Sequence, residues 1–148
     1  MQRRTLVIAA GLIGGLVAAH AKETPMTTPA HEVEIAQRLI DLHFSIWNDP
    51  DPAARFAKFA SVYTPDFFVA DYAGKAADYQ AVNALIDRVQ GEHAGFVFTP
   101  EPISWNHGLG RVTWGYGPKD QPRLIRGEDI FTVSSGRLSS AYVFIDQP

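Results

Sequence analysis

The chain has 148 residues, a formal net charge of -3 and no cysteine. Disulfides, thiolate metal sites and a lipid-anchored cysteine are therefore excluded. The scattered basic residues give no electrostatic ground for nucleic acid or an anionic membrane as partner. A chain of this length buries a core large enough to stand unaided.

The N-terminus begins Met1-Gln2-Arg3-Arg4, continues through an uncharged, Ala- and Gly-rich stretch from Thr5 to Ala19, and reaches Ala19-His20-Ala21 before the first Lys. Basic end, apolar middle and small-residue cleavage site are the order of a signal peptide, here over residues 1–21. The apolar run is shorter than the ~20 residues that span a bilayer. Cleavage after Ala21 predicts a periplasmic or secreted protein that begins at Lys22 and keeps no membrane anchor. Arg3-Arg4-Thr5-Leu6-Val7 resembles a twin-arginine export signal, although paired arginines occur in ordinary signals too. Residues 22–30, with Pro25, Pro29 and three threonines, have no apolar period and read as a flexible spacer. Residues 31–148 are left as one domain.

From His31, the positions Val33, Ala36, Ile40, His43 and Trp47 recur at helical steps. Asn48-Asp49-Pro50-Asp51-Pro52 ends that helix. A second helix is predicted from Ala53 to about Tyr63 with Phe56, Phe59 and Ala60 inward, before a turn at Thr64-Pro65-Asp66. Phe67 to Asp71 reads as a strand. Ala76 to Gln90 places Tyr79, Val82, Leu85, Ile86 and Val89 on one helical face, with Gly91 positioned to stop it. The period then changes to two, over Gly95–Thr99, Ile103–His107, Arg111–Tyr116, Leu124–Val133 and Leu138–Ile145, with turns at Gly108-Leu109-Gly110, Gly117-Pro118-Lys119-Asp120 and Ser134-Ser135-Gly136. Helices followed by a run of strands predict an α+β fold, in which a curved antiparallel sheet packs on about three helices and leaves a conical pocket.

Ile46-Trp47-Asn48-Asp49-Pro50-Asp51 and Tyr63-Thr64-Pro65-Asp66-Phe67-Phe68-Val69-Ala70-Asp71 resemble the helix-to-first-strand passage of SnoaL-like proteins of the nuclear transport factor 2-like superfamily. Gly127-Glu128-Asp129-Ile130-Phe131-Thr132-Val133, Gly136-Arg137-Leu138 and Tyr142-Val143-Phe144-Ile145-Asp146 are similar to that family's last two strands. The resemblance implies a cone-shaped fold with a pocket open at one end, and a homodimer. A more distant resemblance to ketosteroid isomerase implies Asp71 as the catalytic base and Asp129 as the oxyanion-binding acid. It puts His43 where the isomerase has its tyrosine, so an imidazole would replace the phenol as donor.

The residues carry part of this reading without the resemblance. Ile125, Gly127, Asp129, Phe131 and Val133 share one face of their strand, so Asp129 is an acid among apolar neighbours. A carboxyl group in an apolar pocket has its charged form disfavoured, which suits proton transfer; the bland alternative is an Asp that only hydrogen-bonds the sheet. Asp71 before Tyr72-Ala73-Gly74 also fits an ordinary strand-ending turn. His43 lies one turn from Ile40 and Trp47, as a ligand-facing donor or a satisfied core histidine. His107 near a strand end is a candidate for the pocket mouth. The rings Trp47, Tyr72, Phe98, Trp114, Tyr116 and Phe131 are candidate lining for an apolar ligand, and core in the plainer reading.

His43, His93 and His107 lack the paired spacing of a metal site, and no phosphate loop, dinucleotide fingerprint or nucleophile elbow is present, so neither metal nor cofactor is called for. Two functions remain. One is a cofactor-free enzyme of isomerase, dehydratase or cyclase type acting on a small apolar carbonyl compound, with Asp71 as base and Asp129 with His43 polarising the oxygen. The other is a noncatalytic binder of an apolar molecule, or a dimerising accessory module.

Overall fold

A computed structural model describes residues 29–146. The predicted signal peptide and most of the predicted spacer lie outside the described residues; the spacer's last two, Pro29 and Ala30, belong to the first helix. The elements are α1 (Pro29–Trp47), α2 (Pro52–Val62), β1 (Tyr63–Asp71), β2 (Gly74–Ala76), α3 (Tyr79–Glu92), β3 (Val97–Pro100), β4 (Ser104–Asn106), β5 (Leu109–Gly117), β6 (Ile125–Ser134) and β7 (Arg137–Ile145). The sheet runs β2-β1-β7-β6-β5-β3, with β4 paired to β5. The three helices cover its concave face, giving the α+β cone that the pattern of periods predicts.

The sheet is mixed, whereas the period alone predicts an antiparallel one. β1 lies parallel to β7, with a register shift between Tyr63 and Phe68. Thr64-Pro65-Asp66 is therefore an irregularity inside β1 and not a turn before it. Proline has no N–H for a ladder, so the shift falls where pairing would fail anyway. Tyr63 follows α2 directly and is fully buried.

The helix ends show why the chain turns where it does. Asp51 caps α2 by accepting from the N–H groups of Ala53 and Ala54 at 2.9 and 3.2 Å, and Pro52 occupies the first helical position. Asp78 caps α3 through the Ala81 N–H at 2.8 Å. Gly91 does not stop α3, which runs to Glu92; the left-handed residue is Gly95. In α2 the predicted inner residues Phe56 and Ala60 are exposed, and Arg55 is buried in their place.

Arg55 is the largest fully buried side chain. Its guanidinium donates to Asn83 at 3.0 Å, the Asp49 carbonyl at 2.9 Å, Gln90 at 3.4 Å and the Asp87 carboxylate at 2.6 Å. Gln90 in turn donates to the carbonyls of Trp47 and Asp49, at 2.8 and 3.1 Å. The carbonyl of Trp47, which ends α1, and that of Asp49 just beyond it are thereby satisfied from α3, which ties the helices together over the sheet. Arg55→Leu is expected to destabilise the domain by about 2–4 kcal/mol in denaturant titration, since several charge-assisted hydrogen bonds are lost together. Asp87→Asn, at a half-exposed partner, is expected to cost much less.

Candidate functional site

The inner face of the cone holds a cavity of about 300 Å³. Its inner end is buried and lined by His43, Phe44, Trp47, Phe98, Trp114 and Asp129. Its mouth is marked by the exposed lining residues Ala73, Arg88, Glu92 and Ile145.

Four features of the sequence put the inner residues together. The apolar stripe of α1 carries His43 and Trp47 one turn apart, both facing the sheet. On β6 the alternation turns Asp129 inward, opposite Val112 of β5 and Val143 of β7. Gly127, two residues earlier, leaves the space that the Trp114 indole fills: a Cβ there would lie 2.6 Å from the ring. Trp114 can thus lean along the sheet and donate its indole N–H to Asp129 Oδ1 at 2.9 Å. Asn48, just past α1, brackets Phe98 by donating to its carbonyl at 2.9 Å and accepting from its N–H at 2.8 Å. Phe98 stacks on Tyr116 with centroids 4.0 Å apart.

The polar chain at the inner end is deeply buried. His43 is 2% exposed and Asp129 4%. His43 Nδ1 is hydrogen-bonded to the Tyr63 hydroxyl at 2.9 Å. His43 Nε2 lies 3.6 Å from Asp129 Oδ2, within ion-pair range but too far for a hydrogen bond. Burial pushes the Tyr63 hydroxyl well above the usual phenolic range, which the neighbouring Trp47 indole N–H only partly offsets. Burial also raises Tyr116, whose hydroxyl donates to the Val89 carbonyl at 3.2 Å. Trp47 Nε1 and His93 Nδ1, both on cavity-lining residues, are buried without a hydrogen-bond partner among the described residues.

One cavity therefore brings together His43, Trp47, Asp71, Phe98, Trp114, Tyr116 and Asp129 of the predicted residues. Asp71 stands at the mouth and already has a structural task. Its Oδ1 accepts from the N–H groups of Ala73 and Gly74 at 2.8 and 3.0 Å, and Oδ2 lies 3.9 Å from Arg88. Tyr72, His107 and Phe131 fall outside. Tyr72 is 66% exposed at the tip of the β1–β2 hairpin, turned to the outer face against Phe144. His107, with φ 45°, forms with Gly108 the two-residue turn between β4 and β5, away from the cavity mouth. Phe131 is sealed into the core, where Gly110 opposite leaves room for its ring.

The sequence reading assigned no role to Tyr63, and none to Arg88 or Glu92. For the last two a signal existed: Arg88 follows the apolar Leu85 by three residues and Glu92 follows the apolar Val89 by three, so charges at the edge of an apolar stripe point to a rim. Among the described residues no group of His, Asp or Glu is arranged to hold a metal ion, and no helix is long and apolar enough to cross a membrane.

No family model matches the sequence, and no curated protein matches it. Solved structures do. A proposed isomerase of the SnoaL-like family from Agrobacterium tumefaciens superposes with a TM-score of 0.71 at 16% identity, over 77% of this chain and 99% of that one. A proposed SnoaL-like polyketide cyclase from Jannaschia sp. CCS1 gives 0.60 at 16% identity, over 81% and 90%. A nuclear transport factor 2-like protein of unknown function from Exiguobacterium gives 0.60 at 13%, over 74% and 99%. The chain has the nuclear transport factor 2-like fold. SnoaL-like proteins are among its structural neighbours, as the sequence resemblance implies.

The buried phenol makes a prediction about pH. With its pKa raised in the fold, Tyr63 keeps its proton in the folded state while the unfolded chain loses one near pH ~10. Stability is full below that pH and falls as pH rises above it. Denaturant titrations across this range are expected to show the fall, and Tyr63→Phe to make it shallower.

Proposed function

We propose that the cavity binds a small, largely apolar carbonyl compound and moves a proton on it without a cofactor. The observation that carries this reading is the buried pair at the inner end of the cavity, His43 Nε2 and Asp129 Oδ2, 3.6 Å apart. A carbonyl oxygen and the carbon beside it are two reacting atoms of one small group, and the pair presents one partner to each. With its proton on Nε2, His43 donates to the oxygen, while Asp129 takes the proton from the adjacent carbon. The C–H bond breaks, its electron pair forms the carbon–carbon double bond of an enolate, and the negative charge gathers on the oxygen held by His43. Where the enolate is conjugated to a further double bond, return of the proton from Asp129 to the far carbon completes an isomerisation. Delivery of that proton to a neighbouring hydroxyl, which leaves as water, makes it a dehydration, and attack of the enolate carbon on a second carbonyl, whose oxygen takes the proton, a cyclisation.

The surroundings support these roles. Trp114 occupies Asp129 Oδ1, which aims Oδ2. The rings of Trp47, Phe98 and Trp114 exclude water, so each electrostatic contact counts for more. The volume lies at the lower end of the ~300–1,000 Å³ of small-molecule sites, favouring a one- or two-ring ligand. Asp71, assigned the base by resemblance, has its Oδ1 committed to the turn; here it acts with Arg88 in shaping the entrance. The names of the SnoaL-like isomerase and the polyketide cyclase neighbours agree with chemistry of this class.

Uptake of deuterium from solvent beside the carbonyl of one- and two-ring ketones, followed by NMR, is the direct assay. Asp129→Asn is expected to slow exchange by a factor of ~10² to 10⁴ with binding retained, and Asp71→Asn to slow it far less. The reverse order would return the base to Asp71. Ketones that bind to the wild type and never exchange would make the protein a binder only.

We further propose that the protein is exported and works as a homodimer. The leader-like order of residues 1–21 supports the first. The outer sheet face supports the second, since it exposes Tyr72, Tyr142 and Phe144 side by side. Protein recovered from outside the cytoplasm is expected to begin at Lys22 and to sediment as a dimer, and Tyr142→Lys with Phe144→Lys to yield a folded monomer.

A further inference from the structure

We infer that Tyr63 is a positioning residue that fixes the tautomer of His43, holding the imidazole proton on Nε2 where it faces the cavity. The Tyr63 hydroxyl has nowhere else to go. Tyr63 is fully buried, and among the described residues the one hydrogen-bond partner of its hydroxyl is His43 Nδ1, at 2.9 Å. The Trp47 indole N–H beside it is a donor only and has no acceptor geometry to offer. A buried O–H left undonated carries the full penalty of its lost hydration. Tyr63 therefore donates to Nδ1, and Nδ1 cannot also carry a proton. The ring's proton is on Nε2.

The consequence lies at the other nitrogen. With the proton on Nε2, His43 presents a donor to the cavity beside the acceptor Oδ2 of Asp129, and the two attract. With the proton on Nδ1, an imidazole lone pair would face a carboxylate oxygen at 3.6 Å, and no ligand carbonyl could be held between them. The orientation of the ring is fixed by the same contact. Tyr63 itself is held by Phe67, which stacks on it with centroids 4.0 Å apart and 5° between planes, and by Phe59 edge-on at 5.2 Å. The start of β1 thus controls a group on α1 without touching a ligand.

The catalytic consequence rests on the reading under Proposed function; the tautomer does not. Nitrogen-15 NMR of the ligand-free, histidine-labelled protein at neutral pH reads the tautomer directly. The expected spectrum of His43 has an unprotonated Nδ1 and a proton-bearing Nε2. A proton on Nδ1, alone or together with one on Nε2, overturns the inference. Tyr63→Phe keeps the ring and its stacking and removes only the hydroxyl. It is expected to mix the tautomers, drawing the two nitrogen shifts together, and an unchanged spectrum overturns the inference too. Should that variant fail to fold, the wild-type spectrum still decides. In the deuterium-uptake assay Tyr63→Phe is expected to lower kcat by at least about tenfold with little change in KM, as for an imidazole left in the wrong tautomer. A proton on Nε2 with no ketone exchanging removes the proposed reaction and leaves the tautomer lock; exchange with a proton on Nδ1 does the opposite.

Discussion

An imidazole is costly to take out of water unless its nitrogens find partners, and His43 is almost wholly buried on a helix whose neighbouring positions are apolar. Much of the inner cone follows from meeting that requirement. Tyr63 supplies the partner on one side and Asp129 stands opposite the other. Asp129 is itself a buried acid, relieved on its first oxygen by the Trp114 indole, and that indole fits only because position 127 has no side chain. Helix, bulged strand, central strand and glycine are thus coupled through one chain of polar atoms. A buried network of this kind is expensive if any member is missing. Its two central members, His43 and Asp129, both line the cavity.

The chain is held in that state by polar work elsewhere. Arg55, Gln90 and Asn48 tie the end of α1 to α2, α3 and β3, and so fix the angle at which α1 brings His43 and Trp47 to the sheet. With no cysteine available, this junction performs the stapling that a disulfide performs in other small domains. The mouth is built differently, from exposed Arg88 and Glu92 and a turn-committed Asp71. The inner end is thus buried and lined mostly by rings, while the rim is exposed and charged.

How much of the site could be read in advance depended on the kind of pattern each residue belonged to. Asp129 was legible because strand alternation has a period of two, and an acid on the apolar face violates it visibly. His43 was legible for the same reason on a helix. Phe131 obeys the same alternation as Asp129 yet ends in solid core, because facing inward does not say how far along the cone a residue sits. His107 was misplaced because a left-handed turn leaves little trace when a histidine and not an asparagine adopts it. Tyr72 left the cavity because the hairpin that reverses the chain after Asp71 turns it to the outer face.

Local periodicity and residue type were enough for the order of every element but β2, for the α+β class and for the two inner polar residues, while the motifs at either end of the domain carry the resemblance to the SnoaL-like proteins. Tertiary structure alone decided that β1 joins β7 in parallel, that Arg55 and not Phe56 is buried, and that Tyr63 meets His43 across 20 positions of chain. Each of these is a contact between segments whose own patterns are silent about one another. Tyr63 sits where the helical period has ended and the strand period is broken by a proline, so no repeat reports which way its hydroxyl points. Only the packing of α1 over the bulged start of β1 brings the two side chains within hydrogen-bonding distance.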